Sequence, residues 1–211
     1  MTKDDSLIPA HGGYSKLITY KLGNLIYDAT AAFCNRYISL KDRTYDQMVQ
    51  AARSGVANII EGSAASAVSK KMELKLTGVA RASQEELVAD YLAFLRQRSL
   101  SIWEADSESA QIVRAAKPET LPQLRRLMAA LVADLSDLSD LSGKDRIKEE
   151  VAANVMICLI KQETFLLDRQ IAHLAASFEE KGGFTERLYR VHSLKRKTCR
   201  MSENRNPGEN R

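Results

Sequence analysis

The chain has 211 residues, 45% of them apolar and 27% charged, with a formal net charge of +4. That balance excludes wholesale disorder, and the length suffices for one domain with a core of its own, or one domain plus an appendage. With only 10 Gly, 4 Pro and 6% aromatic residues, few punctuators interrupt the chain and few strand formers favour a sheet, so long helices are predicted.

Residues 1–14 read as a polar, flexible lead-in ending at His11-Gly12-Gly13. A first helix is predicted over about 15–37, where Leu17, Ile18, Leu22, Leu25, Ile26, Ala29 and Phe33 recur at three- and four-residue steps. A loop follows, with Asp42 or Thr44 as the cap of a second helix over about 45–61. Met48, Val49, Ala52, Val56, Ile59 and Ile60 face inward on it, and Gly62 stands where a C-terminal cap glycine belongs. The third helix, about 69–97, carries Met72, Leu76, Val79, Ala80, Ser83, Leu87, Tyr91 and Phe94 on one side. Its small residues Gly78, Ala80, Ala82 and Ser83 point to a close helix–helix approach.

After a hinge holding Trp103, short helices are predicted at about 107–116 and 121–138, with a frayed end through the Asp-Leu-Ser repeats of 134–142. A last long helix covers about 145–179, striped by Val151, Val155, Leu159, Thr164, Leu167, Ile171, Leu174 and Phe178. A short amphipathic segment over about 184–195 and a disordered tail close the chain. The expected fold is all-α: an antiparallel up-down four-helix bundle over 15–180, with a helical insertion at about 99–143 and a basic segment at 181–211. The insertion packs on the bundle or stands apart.

No apolar run reaches the roughly 20 nearly uncharged residues of a membrane span. No signal sequence opens the chain, and the odd number of cysteines (Cys34, Cys158, Cys199) forms no disulfide framework or zinc spacing. A cytoplasmic protein is expected. The charge is uneven: residues 181–211 hold nine Lys and Arg against three Glu, a net +6, which leaves the remainder at −2.

The stretch from Gln47 through Ala51-Ala52-Arg53-Ser54 to Asn58-Ile59-Ile60-Glu61-Gly62 resembles a motif of a known family. So do Lys70 or Lys71, Ala80-Arg81-Ala82-Ser83 and Glu85-Glu86-Leu87 after it, and Tyr27, Thr30 and Phe33 before it. That family is the four-helix-bundle proteins encoded in intervening sequences of bacterial large-subunit ribosomal RNA genes. Residues 158–171 and Gly182-Gly183 resemble its longer, suffixed variant. The usual Phe-Pro-x-x-Glu before the second helix is missing, and Val49-Gln50 departs from the usual Arg-Arg-Ala-Ala run. The resemblance implies a ring-like homo-oligomer, often a pentamer. It also implies kinship with accessory factors of diversity-generating retroelements, which contact a reverse transcriptase and RNA.

No catalytic, cofactor or metal site is predicted. Asn58, Glu61 and Gly62 read as a polar clasp with Ser83 or Glu86 that fixes the turn between helices two and three. Glu61, Glu85 and Glu86 are the candidates for a carboxylate-bridged core metal, but His11, His173 and His192 lack the Glu three residues upstream that di-iron bundles use. Arg53, Lys70, Lys71, Lys75 and Arg81 around the turn, with Lys195, Arg196, Lys197 and Arg200 in the tail, are the candidate phosphate contacts. The expected function is non-enzymatic, non-specific nucleic-acid binding, RNA ahead of DNA, by a homo-oligomer. The alternative is a scaffold or accessory subunit docking a protein partner, with an enzyme as the third reading.

Overall fold

The computed structural model describes residues 13–136 and 144–182, with 188–189, 191–193 and 196 beyond them. The polar lead-in, the end of the Asp-Leu-Ser repeat and most of the 181–211 segment lie outside the described residues. The described chain forms a 3-10 turn at Tyr14–Lys16 and six α-helices, with no strand among the described residues. In order these are α1 (Ile18–Tyr37), α2 (Arg43–Ala65), α3 (Lys70–Gln97), α4 (Glu108–Ala116), α5 (Leu121–Ser136) and α6 (Lys144–Lys181).

Side-chain caps set three of the starts. The Asp42 carboxylate accepts from Thr44 N at 2.9 Å, which also holds its pKa below the usual carboxylate value. Ser69 Oγ accepts from Met72 N at 3.1 Å and Ser107 Oγ from Ala110 N at 3.4 Å. The end of α3 is closed from outside: Arg146 Nη2 donates to the carbonyls of Arg98 and Ser99, each at 3.1 Å. Arg98 in turn lies 3.9 Å above the Phe94 ring, donates to Tyr37 O at 3.0 Å, and faces Glu149 at 3.6 Å.

Four long helices pack in the cyclic order α1, α2, α3, α6, and α4 and α5 lie against α6. The core joins Ile26, Phe33 and Cys34 of α1 to Met48 and Ala52 of α2, Leu87 and Tyr91 of α3, and Val155, Leu159 and Ile160 of α6. Phe33 meets Tyr91 and Phe94 edge to face, with centroids 4.8 Å apart in each pair. The excursion therefore packs on the long helices. Asn154 of α6 holds it there, accepting from Trp103 N at 2.9 Å and donating to Ser101 O at 2.8 Å.

Gly62 is not a cap. The helix runs on to Ala65, and Gly62 keeps ordinary helical φ inside it, buried against Glu73 and Leu76 of α3. The predicted close approach through α3 is half present. Ala80 and Ser83 are buried, but Ala82 is exposed and Gly78 has nothing near it. Ile18, Met72, Val79 and Phe178, all predicted inside, are 67%, 45%, 39% and 36% exposed. The tight contacts instead fall at glycines of the partner helices: a Cβ on Gly55 would overlap the Gln84 amide, and one on Gly23 would sit 2.7 Å from Glu163 Oε1.

These contacts separate two glycine substitutions. Gly62→Ala meets ordinary van der Waals neighbours and gains helix propensity, so it raises stability by about 0.5–1 kcal/mol. Gly55→Ala displaces a fully enclosed Gln84 and lowers stability by about 1–3 kcal/mol. Denaturant midpoints of the two variants check both signs.

Candidate functional site

The basic residues around the α2–α3 turn divide into ion-paired and unpaired ones. Lys70 Nζ is 2.8 Å from Glu73 Oε2, and Arg81 Nε is held by Asp168 with Glu85 at 3.5 Å. The guanidinium of Arg81 is stabilised first by its hydrogen bond to Asp168, which raises its already high basicity. These two cations thus serve the fold. Arg53, Lys71 and Lys75 are exposed and make no ion pair among the described residues. Arg81 stands ten residues beyond Lys71 on the same helix, about 15 Å along its axis. In the tail, Arg196 is exposed, whereas Lys195, Lys197 and Arg200 lie outside the described residues.

The predicted clasp exists with different members. Asn58 Nδ2 donates to Ser54 O at 2.8 Å and to Ser54 Oγ at 3.2 Å, and Ser83 Oγ donates to Ser54 Oγ at 3.0 Å. Ser54 is thus the hub that ties α2 to α3. Glu61 and Glu86 take no part in it; both are exposed, as is Glu85. An exposed carboxylate on the bundle's outside cannot bridge a metal in its core, and no cluster of three or more His, Cys, Asp or Glu occurs among the described residues. Gln47, Ser54, Ser83 and Glu86 instead line an open groove of about 610 Å³ between α2 and α3, together with Asp46 and Asp90. Burial, and then the charge of Glu86, push the Asp90 pKa above the ordinary carboxylate value. Three carboxylates make this groove a poor host for phosphate.

The most unusual group lies in the core. Glu163 of α6 is fully buried, and neither carboxylate oxygen has a hydrogen-bond partner. Gln84 of α3 is equally enclosed with both amide atoms unpartnered. Gly23 and Gly55 leave the room that these two side chains occupy. Burial alone pushes the Glu163 carboxyl from 4.5 up to about 8, because a charge in an apolar interior loses its hydration. The group is a neutral acid over most of the physiological range. Sequence reading placed Thr164 on the inner stripe and passed over Glu163. The signal was available: Leu159, Glu163 and Leu167 stand four residues apart, and so do Ala80, Gln84 and Val88.

Among the described residues, neither cysteine offers a reactive thiol. Cys34 is buried with its Sγ 4.0 Å from Met48 Sδ, and burial pushes its thiol up to about 12. Cys158 is half-buried and raised for the same reason, despite Arg114 and Lys161. His173 and His192 are exposed, and no helix among the described residues is long and apolar enough to cross a membrane.

Glu163 makes stability depend on pH. Its folded-state value exceeds its unfolded one, so the folded chain binds the extra proton between about 4.5 and 8. Stability is therefore greatest below that window and falls by about 1.4 kcal/mol per pH unit across it. Glu163→Gln removes this slope, and its unfolding midpoint stays level from pH 5 to 8 where the parent's declines. Parallel declines in the two proteins would show that other groups set the pH response.

Comparison of the chain with family models, with curated proteins and with solved structures finds no match in any of the three.

Proposed function

We propose that this chain is a non-enzymatic, homo-oligomeric, up-down four-helix bundle that binds the phosphate backbone of nucleic acid, RNA ahead of DNA, without sequence preference. The observation that carries this reading is the charge division: +6 on residues 181–211 against −2 on the rest. Clustered cations gain affinity for phosphate by releasing condensed counterions, and a body close to neutral does not oppose them. Arg53, Lys71 and Lys75 add exposed charge beside the α2–α3 turn. Because Lys70 and Arg81 are spent on carboxylates, the tail carries the larger share.

Three contacts support the up-down connectivity: Cys34 lies against Met48, Arg98 just past α3 faces Glu149 near the start of α6, and Thr19 at the start of α1 donates to Gln170 late in α6. Self-association is favoured by the outward face of α3, where exposed Met72 and Val79 flank the bare backbone of Gly78 and the exposed Ala82. A ring, with five copies as the family resemblance implies, would repeat the basic tail around one axis and concentrate its potential. Buried and half-buried free thiols at Cys34 and Cys158 suit a reducing, cytoplasmic setting. The same apolar stripe favours a second reading, a scaffold that docks a partner polypeptide on α3.

Two measurements test these readings. Affinity of the full chain for a single-stranded RNA should fall at least about tenfold between about 50 and 200 mM salt, and ending the chain at Leu194 should weaken low-salt binding by a comparable factor. Salt-independent binding, or a truncated chain that binds as well, excludes the phosphate reading. The solution mass should be a multiple of 23.5 kDa, and Val79→Glu should return it to the monomer without loss of helix content. A partner scaffold would instead leave the parent monomeric.

A further inference from the structure

Between α1, α5 and α6 lies a cleft of about 630 Å³, within the size range of small-molecule sites. Its existence has a packing reason. Leu124 and Leu131 anchor α5 in the core at 0% and 2% exposure. The facing walls, however, are built of Ala29 and Ala32 on α1, Ala129 on α5 and Ala152 on α6. Four methyl groups where larger side chains would close the gap leave open volume. Phe33, Met128, Val132 and Met156 complete an apolar interior.

The polar lining is cationic. Arg36, Arg125 and Lys148 all border the cleft. Lys148 is paired with Asp145 at 2.9 Å, and Asp145 also feels Arg36. Arg36 and Arg125 are exposed and have no carboxylate partner among the described residues. With Asp145 counted, the rim keeps two positive charges among the described residues, above an apolar trough. That combination matches a ligand with one anionic end and a long apolar body.

The chain's own C-terminal amphipathic segment does not fit as the occupant. Met156, the lining residue furthest along α6, lies twenty-five residues before the end of that helix at Lys181, about 37 Å along the axis. Leu188 is six residues past Gly182 and reaches at most about 20 Å from it.

We infer that the cleft between α1, α5 and α6 binds a single-chain anionic amphiphile, with its apolar chain against Phe33, Met128 and Met156 and its carboxylate at Arg36 and Arg125. This site is separate from the tail and does not depend on nucleic-acid binding. A charged head fixes orientation at the two guanidiniums through charge-assisted hydrogen bonds. The apolar chain supplies affinity by leaving water.

Oleate, kept below its aggregation concentration, is the probe, titrated calorimetrically into the full chain with hexadecanol as the uncharged comparison. The expected result is one oleate per chain with low-micromolar affinity, and hexadecanol weaker by at least about tenfold. Ala129→Trp, at an exposed position on the cleft wall, and the pair Arg36→Glu with Arg125→Glu should each weaken oleate by at least about tenfold while helix content is unchanged. Absence of binding up to about 100 µM overturns the inference. So does charge reversal that leaves oleate affinity intact. A change in assembly mass in Ala129→Trp also overturns it, because the cleft would then be a contact between copies.

Discussion

The architecture depends on one stretch of α6. From Val151 to Ile160 every residue but Cys158 is buried, so the helix has no side left for water. A helix that is apolar all round must be covered all round. In the cyclic packing of the long helices, α1 and α3 cover one flank of α6, and α4 and α5 cover another. The excursion after α3 is therefore structural cover, and Asn154, on the same stretch, fixes its lead-in by pairing with the backbone of Ser101 and Trp103. The cleft beside α5 is the incomplete part of that cover.

Two kinds of polar group share the interior, and their energetics differ. Tyr91 donates to Thr30 at 3.1 Å across the bundle, which offsets the desolvation of both hydroxyls. Glu163 and Gln84 have no such partner. Protonation removes the charge of Glu163 but leaves polar atoms unsatisfied, and this costs stability wherever they are enclosed. The space for them comes from Gly23, which faces Glu163, and from Gly55, which faces Gln84.

Surface charge is divided between holding the fold and remaining available. Arg81 ties α3 to α6 through Asp168, and Arg98 joins α1, α3 and α6 through Tyr37, Phe94 and Glu149. Exposed ion pairs of this kind add little stability each. Their larger consequence is to remove positive charge from the turn, which leaves the C-terminal segment as the main basic feature of the chain.

Helix class and most boundaries of the described helices were legible from sequence, because apolar spacing, a cap at Asp42 or Thr44, and the scarcity of Gly and Pro are local signals that the backbone obeys within a turn or two. Gly62 misled for the same reason: a glycine near a helix end has a local meaning, and only the proximity of Glu73 and Leu76 shows that this one lies inside the helix. The pairing of Ser54 with Ser83, the loss of Lys70 and Arg81 to nearby acids, and the enclosure of Glu163 all require knowing which helix faces which. Periodicity states that a residue lies on a face; it does not state what that face meets. The sequence alone determined an all-helical chain with its positive charge gathered at one end. Tertiary packing decided which polar groups are satisfied, which charges stay free and where space remains, because those are properties of contacts between segments far apart along the chain.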